Sequence, residues 1–139
     1  MHLLDSSSEE PLPNREQEKI ISIAKGLIGT PYHFGGTNLI DGFDCSGYVA
    51  YVYIMAVGMP LPRQARDQIK TGTAVSSSLQ PGDIVYFKIA GPNSWHTGIY
   101  LGRKKFIHAP SYNGVVNIQN INLSYWKKRF FGARRLLKD

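Results

Sequence analysis

The chain has 139 residues, 42% hydrophobic and 19% charged, and its 16 basic against 10 acidic side chains leave a net charge of +6. That length makes one domain with room for a core, and a single cysteine excludes both an intrachain disulfide framework and a cysteine-rich zinc site. The positive balance favours an anionic partner, whether nucleic acid, phospholipid surface or an acidic polymer such as cell wall, while no apolar run reaches the length of a transmembrane helix or matches the apolar region of a signal peptide.

Residues 1–13 are polar, with Ser6-Ser7-Ser8-Glu9-Glu10 and two prolines. They bury little and are expected to be a disordered linker ahead of a folded domain over 14–139. Asn14 and Gln17 have the spacing of a helix cap. Ile20, Ile23, Ala24, Leu27 and Ile28 then recur with a helical period, and Gly29 is expected to end that helix. Segment 29–36 is a loop with three glycines, where Gly35-Gly36 makes either a plain turn or a close approach of backbone to a ligand or another segment.

The central stretch is Gly42-Phe43-Asp44-Cys45-Ser46-Gly47, followed by an apolar run from Tyr48 to Val57. The run is too long for an ordinary strand, and Gly58 closes it as a helix-terminating glycine does. Cys45 is thus expected in the first turn of a nearly all-apolar, buried helix, with Asp44 as N-cap. A helix N-terminus favours anions, so the thiol is expected to have a lowered pKa and to be thiolate near neutral pH. The plain alternative is a small buried hydrophobe.

Pro62 suits the first position of a short helix over 63–70. Residues 71–79 read as loop, and Gln80-Pro81-Gly82-Asp83 as a turn. Residues 84–88 read as a strand with Val85 and Phe87 on one face. Residues 95–101 and 105–108 read as a hairpin across Gly102, and 115–118 as a third strand. Part of 125–137 is expected to be a closing strand. Helices first and short antiparallel strands after give an α+β fold, the helices packed on the sheet.

His96 follows Cys45 by 51 positions and His108 follows His96 by 12. A cysteine nucleophile needs a base and a third group that fixes the base's tautomer. Cys, then His, then a polar group is the chain order of papain-like enzymes. Side chains alternate along strands, so the two histidines share a face only with a three- or five-residue hairpin loop or a bulge. A two-residue loop without a bulge separates them. A Cys45/His96/His108 zinc site is the alternative for these residues, although none has the tight ligand spacing of a zinc motif. His33 reads as an ordinary surface histidine.

Asp44-Cys45-Ser46-Gly47, His96-Thr97-Gly98-Ile99-Tyr100-Leu101-Gly102 and Phe106-Ile107-His108-Ala109 resemble the NlpC/p60 cysteine peptidases of bacterial cell walls. Gly29-Thr30-Pro31-Tyr32, Gly35-Gly36, Leu61-Pro62-Arg63, Asp67-Gln68 and the stretch from Pro81 to Phe87 extend the match. The tail from Tyr125 to Arg129 with Ala133-Arg134-Arg135 is similar to the small Gram-negative lipoprotein endopeptidases of that family, the Spr type. The resemblance implies a reduced papain-like fold and hydrolysis of peptidoglycan peptides without cofactor or metal. By resemblance Cys45 is the nucleophile, His96 the general base and acid, and His108 the orienting residue. Tyr32 stands beside the thiol, the Cys45 N–H helps bind the oxyanion, and Ser46, Arg63 and Gln68 line the substrate groove. The favoured bond is the D-alanyl–diaminopimelate crosslink, with the γ-D-glutamyl–diaminopimelate stem bond as alternative. The implied partner is the stem peptide and the implied location the periplasm, with a trimmed lipoprotein leader as the available membrane tether. Two other classes stand against this reading: a non-catalytic wall-binding relative, and a basic module stacking nucleic acid on Tyr125, Trp126, Phe130 and Phe131.

Overall fold

A capping box starts the first helix, α1 (Arg15–Gly26): Asn14 Oδ1 accepts the Gln17 N–H at 2.9 Å and Gln17 Oε1 accepts the Asn14 N–H at 2.8 Å. The computed structural model describes residues 10–76, 78–92, 94–110 and 114–137. α1 buries Gln17, Ile20 and Ala24 and stops at Leu27, and Gly29 turns the chain two residues later at φ 94°. Of the expected linker, residues 1–9 lie outside the described residues. Glu10 departs from the expectation: it accepts from the Tyr100 hydroxyl (3.0 Å) and the Arg103 N–H (2.9 Å), so its carboxylate is tied to the far end of the sheet.

Two short strands, β1 (Thr37–Asn38) and β2 (Gly42–Phe43), form an antiparallel ribbon that leads into α2 (Cys45–Val57). Gly58 ends α2 in the left-handed region (φ 68°), its N–H bonded to Ile54 O. α2 is less enclosed than its composition suggests, because Ile54 and Met55 face solvent. The next helix, α3, covers Ala65–Gln68 and not 63–70. Pro62 lies outside it, since Gln64 is extended and starts the turn.

Strands β3 (Thr73–Ala74), β4 (Ile84–Lys88), β5 (Trp95–Gly102), β6 (Lys105–His108), β7 (Asn117–Asn120) and β8 (Phe130–Arg135) form a six-stranded sheet in the order β3-β8-β4-β5-β6-β7, with every pairing antiparallel. β3 falls within the expected loop 71–79, recruited as a two-residue edge by β8. The strand expected at 115–118 starts at Asn117, because Val115 bridges Pro31 and Val116 exchanges backbone bonds with Gly29 and Thr30. The tail first makes a short helix, α4 (Ser124–Arg129), and then β8, which enters the sheet between β3 and β4.

Strand alternation splits the core in two. Ile84, Ile99 and Ile107 pack with α1 and α2, including Ile20, Ala24, Tyr48, Val49 and Val52. Val85, Phe87, Tyr100 and Phe106 face the other way, onto Ile121, Ala133, Trp126 and Phe130. The turn before β4 is pinned by Asp83, nearly fully buried, which accepts two 2.8 Å bonds from Arg135 on β8. Removing one partner of such a buried pair costs about 3–5 kcal/mol. The architecture is the α+β arrangement expected, with helices packed on an antiparallel sheet.

Candidate active site

Asp44 is extended and caps α2, its Oδ1 accepting the Gly47 N–H at 2.7 Å. Cys45 is therefore the first helical residue, as expected. Its N–H belongs to those a helix leaves without an intrahelical acceptor. The glycines around it serve close backbone packing. A Cβ on Gly47 would sit 2.1 Å from Gly36 O, and Gly36 O accepts the Asp44 N–H at 3.1 Å. Gly36 thus approaches another segment of the chain, and the loop is held against the start of α2.

The histidines meet through a bulge. The β5–β6 turn contains two residues, Arg103 (φ 51°) and Lys104 (φ 65°), the positive pair a tight hairpin requires. The register slips by one residue between Tyr100↔Phe106 and Gly102↔Lys105. That slip restores the shared face which a two-residue loop alone would remove. His96 Nε2 and His108 Nδ1 lie 2.8 Å apart. This leaves Nδ1 as the His96 nitrogen available for a proton.

Cys45 lies against the strand that carries His96. The backbone N–H groups of Thr97 and Ser46 hydrogen-bond the thiol. The expectation of a resting thiolate is corrected. Burial pushes the Cys45 thiol up, the Asp44 carboxylate adds to that, and the hydrogen bonds from Thr97 and Ser46 only partly oppose it. Desolvation outweighs the favourable helix end. Burial also lowers His96 to about 4, and burial with the neighbouring His96 lowers His108 to about 3. The pair is neutral at pH 7, so no imidazolium stabilises a thiolate.

Around this core the expected substrate residues divide. Arg63 makes a bidentate contact with Asp44 (3.1 and 2.7 Å) and donates to Ser46 Oγ at 3.0 Å, its side chain 41% exposed. Gln68 does not line a groove and its assignment is corrected. It is fully buried, its Nε2 donates to Ser46 O (2.9 Å) and Pro62 O (3.0 Å), and its Oε1 accepts from Thr97 Oγ1 at 3.0 Å. Gln68 therefore ties the start of α2 to the strand beside His96. Tyr32 is half-buried and its segment bridges Phe43, two residues before Cys45. A cleft of about 310 Å³, lined by Gly47, Ala50, Tyr51, Ile54, Leu61 and Arg63 among others, runs along one flank of α2, and neither Cys45 nor His96 lines it. Among the described residues no group of three His, Cys, Asp or Glu side chains is arranged to hold a metal ion.

Two residues named in the sequence take roles that the sequence reading did not assign. Trp126 stacks on His96 (centroids 5.7 Å, 25°) and meets His108 edge-on at 5.0 Å. It shields the pair from water, and with Phe130 it belongs to the second core, so two of the four rings considered for nucleic-acid stacking face inward. Thr97 was read as part of a strand and of the His96 motif, with no role of its own, although it bonds both Cys45 and Gln68. The signals for Trp126 were an aromatic pair in a basic tail and the likeness of that tail to the Spr type, neither of which points to a contact with the histidines.

A profile of the NlpC/P60 family matches residues 29–135. The chain is 43% identical over 110 residues to an Escherichia coli protein named murein DD-endopeptidase MepS/murein LD-carboxypeptidase, covering 78% of this chain and 57% of that one. It is 40% identical over 126 residues to the gamma-DL-glutamyl hydrolase of Bacillus subtilis, covering 88% and 30%. It is 37% identical over 140 residues to the probable endopeptidase NlpC of Escherichia coli, covering 94% and 90%. The chain thus spans about half or less of the first two relatives. Among solved structures, an NlpC/P60 family protein from Bacillus cereus superposes with a TM-score of 0.79 at 34% identity, over 90% of this chain and 41% of that one.

Proposed function

The chain belongs to the NlpC/P60 family, and from that premise we propose that it is a cysteine endopeptidase of the cell envelope that cleaves peptidoglycan peptides. The observation that supports this most is a helix-start cysteine held by the backbone of Thr97, next to a buried, bulge-aligned His96–His108 pair. In this reading substrate binding brings the thiol proton to His96 Nδ1, a contact that tightens only in the complex. The thiolate attacks the scissile carbonyl carbon, and the Cys45 N–H donates to the oxyanion that forms. His96 returns the proton to the leaving amine as the thioester forms. It then takes a proton from the water that hydrolyses the thioester. His108 accepts the His96 Nε2–H throughout and holds the ring. The nucleophile is made on demand, consistent with a thiol pushed up by burial.

The stem peptide lies along the cleft beside α2, with Arg63 available to its carboxylates, Tyr32 beside the thiol and Ser46 fixed between Asp44 and Arg63. The favoured bond is the D-alanyl–diaminopimelate crosslink, supported by the likeness to the murein DD-endopeptidase. The γ-D-glutamyl bond is the second reading, supported by the likeness to the glutamyl hydrolase. The matching site is the periplasm. Digestion of defined muropeptides read by mass spectrometry tests both. The wild type yields stem fragments that name the bond and Cys45→Ala yields none. Cleavage by folded Cys45→Ala would overturn the reading.

A further inference from the structure

We propose that Asn117 is a fourth, positioning member of the series Cys45–His96–His108: its Oδ1 accepts the Nε2–H of His108 and so fixes the tautomer of the whole pair. This rests on the reading of His96 as the base. To take a proton at Nδ1, neutral His96 must carry its hydrogen on Nε2 and donate it to His108 Nδ1, 2.8 Å away. His108 must then carry its own hydrogen on Nε2. That nitrogen is buried and has no partner at hydrogen-bond geometry. An orphaned buried N–H is costly. The opposite tautomer exchanges the orphaned N–H for an unpaired ring lone pair by moving the hydrogen to His108 Nδ1, and it also protonates His96 Nδ1 and silences the base. Something must hold the productive arrangement.

The side chain across the ladder is Asn117, paired with His108 in the β6–β7 register. Directly opposed residues carry Cβ atoms about 5 Å apart on one face. The Asn117 amide is already oriented, with Nδ2 donating to Val115 O and Oδ1 accepting from Gln119 Nε2, both at 2.8 Å. A second lone pair on Oδ1 remains. The rings against His108 are Phe106 and Trp126, which offer no acceptor, and His96, which is the ionisable group that faces it. The Asn117 side chain already opposes the lowering of the His108 pKa.

The test combines long-range 1H–15N NMR of the histidine rings with steady-state kinetics. In the wild type at pH 7 both rings carry hydrogen on Nε2. In Asn117→Leu, or Asn117→Val as a second variant without an acceptor, the tautomers redistribute and kcat falls about tenfold at unchanged KM. Asn117→Asp restores the acceptor and moves the acid limb of kcat to higher pH, because an anion beside His108 favours protonation. Unchanged tautomers and kcat in the Leu and Val variants would overturn the proposal while leaving the peptidase reading intact. Tautomers that respond to Asn117 in a protein that cleaves no muropeptide would sink the peptidase reading and uphold the positioning role.

Discussion

The two faces of the sheet are built from different materials. Toward α2 lie Ile84, Ile99 and Ile107, aliphatic side chains against helix. Toward α4 lie Phe87 and Phe106, packed against Trp126 of that helix, and among them the two histidines. The aliphatic face holds the fold together. The aromatic face surrounds a titratable pair with flat, dry surfaces and thereby keeps it neutral. The proposed chemistry draws on both faces of β5, with Thr97 reaching Cys45 and Gln68 while its neighbour His96 reaches His108.

The largest effects should separate these faces. His96→Ala is expected to lower kcat about 10²–10⁴-fold in the molecules that remain folded, beyond the stability it loses by leaving His108 Nδ1 unpartnered. Ile99→Ala should cost about 2–5 kcal/mol while the remaining folded molecules keep their activity. Muropeptide turnover and urea midpoints on both variants check this. Full turnover by folded His96→Ala, or lost turnover by folded Ile99→Ala, would erase the distinction between the faces. Trp126→Ala comes next. It should cost about 3 kcal/mol, the low end for a large aromatic because Trp126 is half-buried. By admitting water to His96 it should also raise that group from about 4 toward its ordinary 6.5, seen as an acid limb displaced to higher pH.

Stability itself should report the dry pair. His96 and His108 are lowered to about 4 and about 3 in the fold from 6.5, so the unfolded chain binds more protons between those values. The stability they allow is complete above pH 6.5 and falls as pH drops through 6.5 toward 4. At pH 5 one such histidine costs about 2 kcal/mol. Asp83, raised by burial, works in the opposite direction. Urea midpoints at pH 7 and 5 should therefore converge in a His96→Gln, His108→Gln protein. The smallest effect belongs to the far end of β5. Glu10→Gln should cost less than about 1 kcal/mol and change turnover less than about twofold, but accelerate amide exchange at Arg103, whose N–H it holds.

The aliphatic face was the more legible one. Its positions repeat at helical or strand period, and so did the cap at Asn14, the N-cap at Asp44 and the glycine stop at Gly58. The pairing of His96 with His108 was legible only as a condition, a bulge or an odd loop, because register depends on where the slip falls and no residue announces it. Bonds between distant segments were not legible. Gln68 looks like a helix-surface residue until its amide is seen linking Ser46 with Thr97. Glu10 looked like tail because its partners lie some 90 residues away. The charge state of Cys45 was misjudged for a related reason. The helix start is visible in sequence, whereas burial, the stronger influence, depends on what folds over it.

The central claim is that the Cys45 sulfur becomes covalently bonded to the acyl half of a peptidoglycan stem during turnover. Acid-quenched reactions with a defined muropeptide, examined by intact-protein mass and peptide mapping, measure that directly. The account predicts an added mass equal to the acyl fragment on the peptide containing Cys45, absent in Cys45→Ala. Continued product release with no adduct on that peptide at any quench time, or an adduct mapped to another residue, would contradict it.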